Sequence, residues 1–75
     1  MSEGWELGVV LKELRHRRGL SLTQMARESG LHKSAVIRIE KGDRHPGLET
    51  LSGIAGALNI RFVVEAEGVF IEEIT

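Results

Sequence analysis

Gly30 stands between two short runs of helical period, and it limits what residues 20–42, LSLTQMARESGLHKSAVIRIEKG, can become. A glycine at that point ends one helix in the left-handed conformation without strain and lets the chain reverse at once. On its N-terminal side Ser21 caps a helix, and Gln24 three residues later completes a capping box. Met25 and Ala26 then face inward with Leu22, and Leu31 turns back toward the same core. The second helix is expected over Lys33–Lys41, with Val36 and Ile39 buried at i, i+3 and Gly42 as its stop. Lys33, Ser34, Ile37 and Arg38 fall on its outward side. The pattern is a short helix held from behind and offering a polar, basic front across a glycine turn.

Charge says what such a front would meet. The 75 residues carry a formal net charge of −1, which suits no polyanion binder until it is divided along the chain. Residues 1–44 hold nine Lys/Arg against six Asp/Glu, whereas residues 45–75 hold Arg61 alone against Glu49, Glu65, Glu67, Glu72 and Glu73. That is +3 for the first part and −4 for the second. Electrostatic attraction is screened within about 8–10 Å at ordinary salt, so the local sign governs binding. The basic part contains the two-helix unit, and a short basic helix offered across a turn is the layout of a DNA reader.

The remaining segments supply a frame. A first helix is expected from Trp5 to Arg18, with Leu7, Leu11 and Leu14 as its stripe, Trp5 as a packing residue and residues 1–4 loose. Arg15, Arg17 and Arg18 crowd its last turn, where cations suit the helix dipole, and Gly19 ends it. Arg17 and Arg18 read equally as a solvated helix end or as neighbours of phosphate. Gly42-Asp43-Arg44-His45-Pro46-Gly47 is a loop. A further helix follows over Leu48–Leu58, with Leu48, Leu51, Ile54, Ala55 and Leu58 inward, Asn59 closing it, and Gly53 and Gly56 allowing close approach to another helix.

The last stretch changes character. IRFVVEA (60–66) and VFIEEI (69–74) are β-branched and aromatic, and the expected hairpin turns at Glu67-Gly68 with Gly68 at positive φ. An amphipathic fifth helix is the alternative. In the hairpin, Ile60, Phe62, Val64, Ala66, Val69 and Ile71 share one face, and Val63, Phe70 and Ile74 share the other with Arg61, Glu65 and Glu72. A two-stranded ribbon with apolar residues on both faces is marginal alone in water. Homodimerisation through Phe62, Val63, Val64, Phe70, Ile71 and Ile74 follows as an expectation.

These residues resemble the Cro/repressor-type helix-turn-helix family, also called the xenobiotic-response-element family. The resemblance runs from Leu7 to about Leu58: Leu7-Gly8, Leu11, Leu14-Arg15, Gly19-Leu20-Ser21, Met25-Ala26 and Gly30-Leu31. It continues through Val36, Arg38-Ile39-Glu40, Gly42, Arg44, Pro46 and Leu48-Glu49-Thr50-Leu51. It implies a mainly α fold, a four-helix repressor-like domain over residues 5–58, here followed by the hairpin at 59–75 in place of the family's fifth helix. Some antitoxins of the family end in a strand and dimerise through it, so a toxin partner with autoregulation of the operator is the alternative function.

By position, the resemblance implies base contacts from His32, Lys33, Ser34, Ile37 and Arg38, and phosphate contacts from Thr23, Gln24, Lys41 and Arg44. His32 stands where the family has a Ser or Thr cap; it caps, meets phosphate, or does neither. Leu22 replaces a usual Gln, and Asp43 replaces a usual basic residue. Arg15 and Glu40 match the family's buried ion pair that pins the reader helix to its scaffold. The expected partner is double-stranded DNA with a pseudo-palindromic operator, bound by a homodimer acting as a transcriptional repressor.

Other chemistries find little footing. His16, His32 and His45 lack metal-ligand spacing, and no nucleophile–base pattern or phosphate loop occurs, so no catalysis, metal or cofactor is expected. With no cysteine, no run near 20 apolar residues and no signal-peptide pattern, the expected location is cytoplasmic, away from the membrane.

Overall fold

The leucine stripe at the start of the chain is realised in helix α1 (Glu3–Arg17). The computed structural model describes residues 3–74, with side-chain surroundings from Leu7 onward. Of the loose lead expected over 1–4, Met1 and Ser2 lie outside the described residues, whereas Glu3 and Gly4 already belong to α1. The packing role of Trp5 likewise lies outside the described side chains. The helix stops at Arg17, one residue before the expected Arg18, and Gly19 follows with φ +69°. Leu11 and Leu14 are sealed in the core, and Leu7 packs on its margin.

Helix α2 (Leu22–Ser29) begins with the complete capping box: Gln24 N donates to Ser21 Oγ (3.0 Å) and Ser21 N donates to Gln24 Oε1 (2.8 Å). Helix α3 (Lys33–Lys41) follows across Gly30. Both helices end in the same way. Gly30 and Gly42 adopt φ of +73° and +81°, and the amides of Leu31 and Asp43 donate back to the carbonyls of Ala26 and Arg38 at 2.9 Å. Leu31 is thereby returned to the core.

Helix α4 (Leu48–Leu58) lies against α2. Ile54 and Leu58 are buried, and Leu51 and Ala55 are half-buried. Leu48 corrects the expected stripe: it is 83% exposed, because the stripe reaches one turn beyond the elements that cover the rest of it. The two helical glycines also differ from the common role expected of them. A Cβ on Gly53 would collide with the Ser29 carbonyl of α2, so this glycine permits the close approach; a Cβ on Gly56 would meet nothing within 4 Å.

After Asn59, in the left-handed region at φ 56°, ψ 51°, the chain forms strands β1 (Ile60–Glu65) and β2 (Gly68–Glu73), not a fifth helix. They pair antiparallel, from Ile60 opposite Glu73 to Glu65 opposite Gly68. The turn is therefore Ala66-Glu67, one residue earlier than expected, and Gly68 carries its positive φ (143°) as the first residue of β2. Moving a two-residue turn by one position preserves the parity of both strands, so the two faces hold the residues expected of them. Ile60, Phe62 and Ile71 pack toward the helices, whereas Val64 and Val69 on the same face lie near the tip and stay exposed.

The helical body and the hairpin are joined by polar contacts as much as by packing. Arg18 Nε donates to the Leu58 carbonyl (2.9 Å) at the end of α4, and its Nη2 lies 2.9 Å from Glu73 Oε1. Arg17 adds a longer, exposed pair with Glu73 at 3.7 Å. Asn59 Nδ2 donates to the Ile74 carbonyl (2.7 Å), and Ile74 N donates to the Asn59 carbonyl (3.0 Å). Among the described residues, no helix is long and apolar enough to cross a membrane.

Candidate nucleic-acid interface

Helix α3 divides cleanly along its axis. Ala35, Val36 and Ile39 are buried, and the Glu40 side chain is 7% exposed; these positions face α1 and α2. Lys33, Ser34, Ile37, Arg38 and Lys41, spaced i, i+1, i+4, i+5 and i+8, occupy the other side. All of them are exposed except Ile37, which is half-buried. Ala35 completes the inward face, a small residue that the i, i+3 pattern of Val36 and Ile39 did not single out.

Two features of α1 hold this helix from behind. Gly8, Leu11 and Arg15 stand at i, i+3 and i+7 on α1. A Cβ on Gly8 would come within 2.5 Å of the Ile39 carbonyl oxygen and 2.6 Å of that of Glu40, so α1 touches the last turn of α3 backbone to backbone. Arg15 Nε donates to Glu40 Oε2 (2.8 Å), and its Nη2 donates to Oε1 (3.2 Å), a two-point pair with each side chain 7% exposed. Arg15 Nη1 also donates to the Leu20 carbonyl (2.9 Å), which fixes the segment before α2. The remaining Arg15 contact is with His16 Nε2 (3.3 Å). Burial of the pair is tolerable because the guanidinium and both carboxylate oxygens find partners.

The electrostatics of the outward face are simple. Among the described residues, the four ion pairs involve Arg15, Arg17, Arg18 and Arg61, so Lys33, Arg38, Lys41 and Arg44 take part in none. These four cations are exposed; of the two carboxylates in residues 33–44, the Glu40 side chain is buried against Arg15 and Asp43 is exposed, beside Arg44 in the loop. His32 occupies the N-cap of α3 but makes no side-chain capping bond, so the first amides of α3 lack the side-chain partner that Ser21 gives α2. A helix N-terminus with open amides favours an anion. Thr23 and Gln24 are exposed at the first turn of α2; the Gln24 carbonyl oxygen is engaged in the capping box, which leaves its amide group to face outward partners.

The remaining site residues separate. Phe62 and Ile71 pack against the core of their own chain, Val63 is half-buried, and Val64, Phe70 and Ile74 are exposed. Arg18, read from sequence as a solvated end or a phosphate neighbour, is committed to Leu58 and Glu73. Its partner is 55 residues away, and no local spacing signals it. Gly8 had a visible signal, a glycine inside a helix in line with Leu11 and Arg15. No group of three or more His, Cys, Asp or Glu among the described residues is placed to hold a metal ion.

A helix-turn-helix family model matches residues 11–64. The chain is 39% identical over 56 residues to the HTH-type transcriptional regulator SutR of Escherichia coli K12, covering 75% of this chain and 32% of SutR. It is 36% identical over 55 residues to the immunity repressor protein of Bacillus phage phi105, covering 73% of this chain and 38% of the repressor. The chain thus spans about a third of the length of these two curated relatives. Among solved structures, the restriction-modification controller protein C.AhdI from Aeromonas hydrophila superposes with a TM-score of 0.78 at 36% identity, covering 81% of this chain and 92% of C.AhdI.

Proposed function

Because the chain belongs to the helix-turn-helix family of the Cro/repressor type, we propose that it is a sequence-specific DNA-binding transcriptional regulator, working as a homodimeric repressor. The observation that carries this reading is the outward side of α3: cations that are exposed and outside every ion pair described, on a helix whose other side is sealed into the core. The names of the similar proteins, a transcriptional regulator, an immunity repressor and a controller, support the same class.

In this reading α3 lies in the major groove. Lys33 and Arg38 donate to guanine O6 and N7, Ser34 serves whichever edge it meets, and Ile37 lies against a thymine methyl. His32, free of capping duty, donates to a base edge or a phosphate at the same end. Thr23, Gln24, Lys41 and Arg44 hold phosphates and set the register of the helix on the duplex. Asp43 repels the backbone locally, which shifts the phosphate load of the loop to its neighbours. Arg15 and Glu40 touch no DNA; they keep α3 at a fixed height above the body. Two subunits would read a pseudo-palindrome with half-site centres about 10–10.5 base pairs apart, or a multiple of that.

The test begins with selection of bound duplexes from a random pool at stated salt, because affinity without salt has no meaning for a phosphate binder. On the selected operator, Arg38→Ala is expected to lower specific affinity by about 1–3 kcal/mol while the unfolding midpoint stays in place. An unchanged isotherm would remove Arg38 from the reading face, and failure to enrich any duplex would remove the function itself.

A further inference from the structure

The sheet has two strands and therefore two unpaired edges, and they differ in what they can accept. Ile74 N donates to the Asn59 carbonyl, which makes Asn59 and Ile74 a hydrogen-bonded pair. Antiparallel pairs alternate, so with the observed register Arg61, Val63 and Glu65 turn their backbone groups toward β2. Ile60, Phe62 and Val64 turn theirs outward. On β2 the outward groups belong to Val69, Ile71 and Glu73.

We propose that β1 pairs antiparallel with β1 of a second copy about a two-fold axis through Val63, giving a sheet of order β2-β1-β1-β2. The inference rests on the homodimer reading above and specifies the surface and register that build it. In that register Phe62 lies opposite Val64 of the second copy, and both have outward backbone groups, so they exchange a full set of hydrogen bonds on each side of the axis. Val64, 74% exposed in the single chain, gains a phenyl ring as its cross-strand neighbour. Arg61 falls opposite Glu65 of the second copy, and the pairing occurs twice. Arg61 then sits between that carboxylate and Glu72 of its own hairpin, from which it stands 3.7 Å away. Sliding the axis to Phe62 sets Arg61 against Val63, and sliding it to Val64 sets Glu65 against Val63.

The other edge has no comparable solution. Any register of β2 on itself centred on Val69, Phe70, Ile71 or Glu72 sets a glutamate against an apolar side chain or against another glutamate. Like charges directly opposite one another are unfavourable in a sheet. The β1 axis also stands normal to the sheet, so both helical bodies, which pack on the face of Ile60, Phe62 and Ile71, remain on one side of it.

The chain has no cysteine, so one introduced thiol reports on the axis directly. Opposed residues of a non-hydrogen-bonded antiparallel pair have Cα atoms about 4.5 Å apart, within the span a disulfide bridges. Val63→Cys is expected to give a covalent dimer on mild oxidation, and Phe70→Cys, on the distant strand, to stay uncrosslinked. Arg61→Glu and Glu65→Arg are each expected to weaken self-association about tenfold by sedimentation. An equimolar mixture of the two recovers it, because each mixed pair is again complementary; recovery also shows that both variants fold. Crosslinking at Val63 with recovery on mixing supports the register. A dimer that crosslinks at Phe70, or that ignores the charge swap, overturns this register and leaves homodimerisation standing. A chain that is monomeric at high micromolar concentration overturns both.

Discussion

Leu11, Leu14, Met25, Ile54 and Leu58 are closed off inside the body made by α1–α4, whereas Val64, Val69, Phe70 and Ile74 of the hairpin are 40–74% exposed. The two regions hold comparable apolar residues and treat them oppositely. In the body, helices approach until glycines at positions 8 and 53 have no room for a methyl group. In the hairpin, packing reaches only the base, and the fastening is done by Arg18, Asn59 and Glu73. Apart from Val9, Val10 and Leu48, the body hides its large apolar residues and presents a polar face on α3; the hairpin leaves Val64, Val69, Phe70 and Ile74 exposed. A ribbon of two strands is marginal alone, so this difference separates a self-contained unit from one that depends on the body it is fastened to.

The contrast can be broken first at Arg15. Arg15→Ala is expected to cost about 3–5 kcal/mol in urea unfolding, because Glu40 is left charged and buried without its partner. A loss near zero would mean that α3 is held by apolar packing alone. The next largest effect is a difference of sign between two similar substitutions on one helix. Gly53→Ala is expected to destabilise by about 1–3 kcal/mol through its collision with the Ser29 carbonyl. Gly56→Ala, in open space, is expected to stabilise by about 0.5–1 kcal/mol. Equal effects at the two sites would contradict the close approach of α4 to α2. The smallest effect sharpens the division of the molecule. Arg18→Ala is expected to cost about 1 kcal/mol, felt in the hairpin: hydrogen exchange should quicken at β1 and β2 while the core amides of α1 and α4 keep their protection. Uniform quickening would show that hairpin and body open as one unit.

Much of the body was legible in the sequence because its signals are local. The capping box at Ser21 and Gln24, the two left-handed glycines and the stripe at Leu7, Leu11 and Leu14 each lie within one or two helical turns. The limits of α3 and the outward placement of Lys33, Ser34 and Arg38 follow from the same short-range pattern. The hairpin faces were readable for a different reason: strand parity survives an error of one residue in the turn, so Ala66-Glu67 in place of Glu67-Gly68 moved no side chain to the wrong side. What the sequence did not carry was long-range. Arg18 meets Leu58 and Glu73 only because three elements end at one place. Leu48 continues a helical stripe perfectly well, and only the assembled body shows that nothing lies over it. Gly53 and Gly56 are indistinguishable by propensity and differ only in whether Ser29 stands above them.

Asn59 makes the passage from helix to strand in a single left-handed residue, bonded on both sides to Ile74. Such a joint behaves as a rigid elbow with no slack, unlike a tether of several free residues. In an assembly of two copies joined through their ribbons, the gap between the paired reading helices would be set at this elbow and at the arginine brace beside it. The spacing tolerance of the DNA site would then be narrow, and lengthening the chain by a residue or two at 59 would retune which spacings are accepted without altering a single base contact.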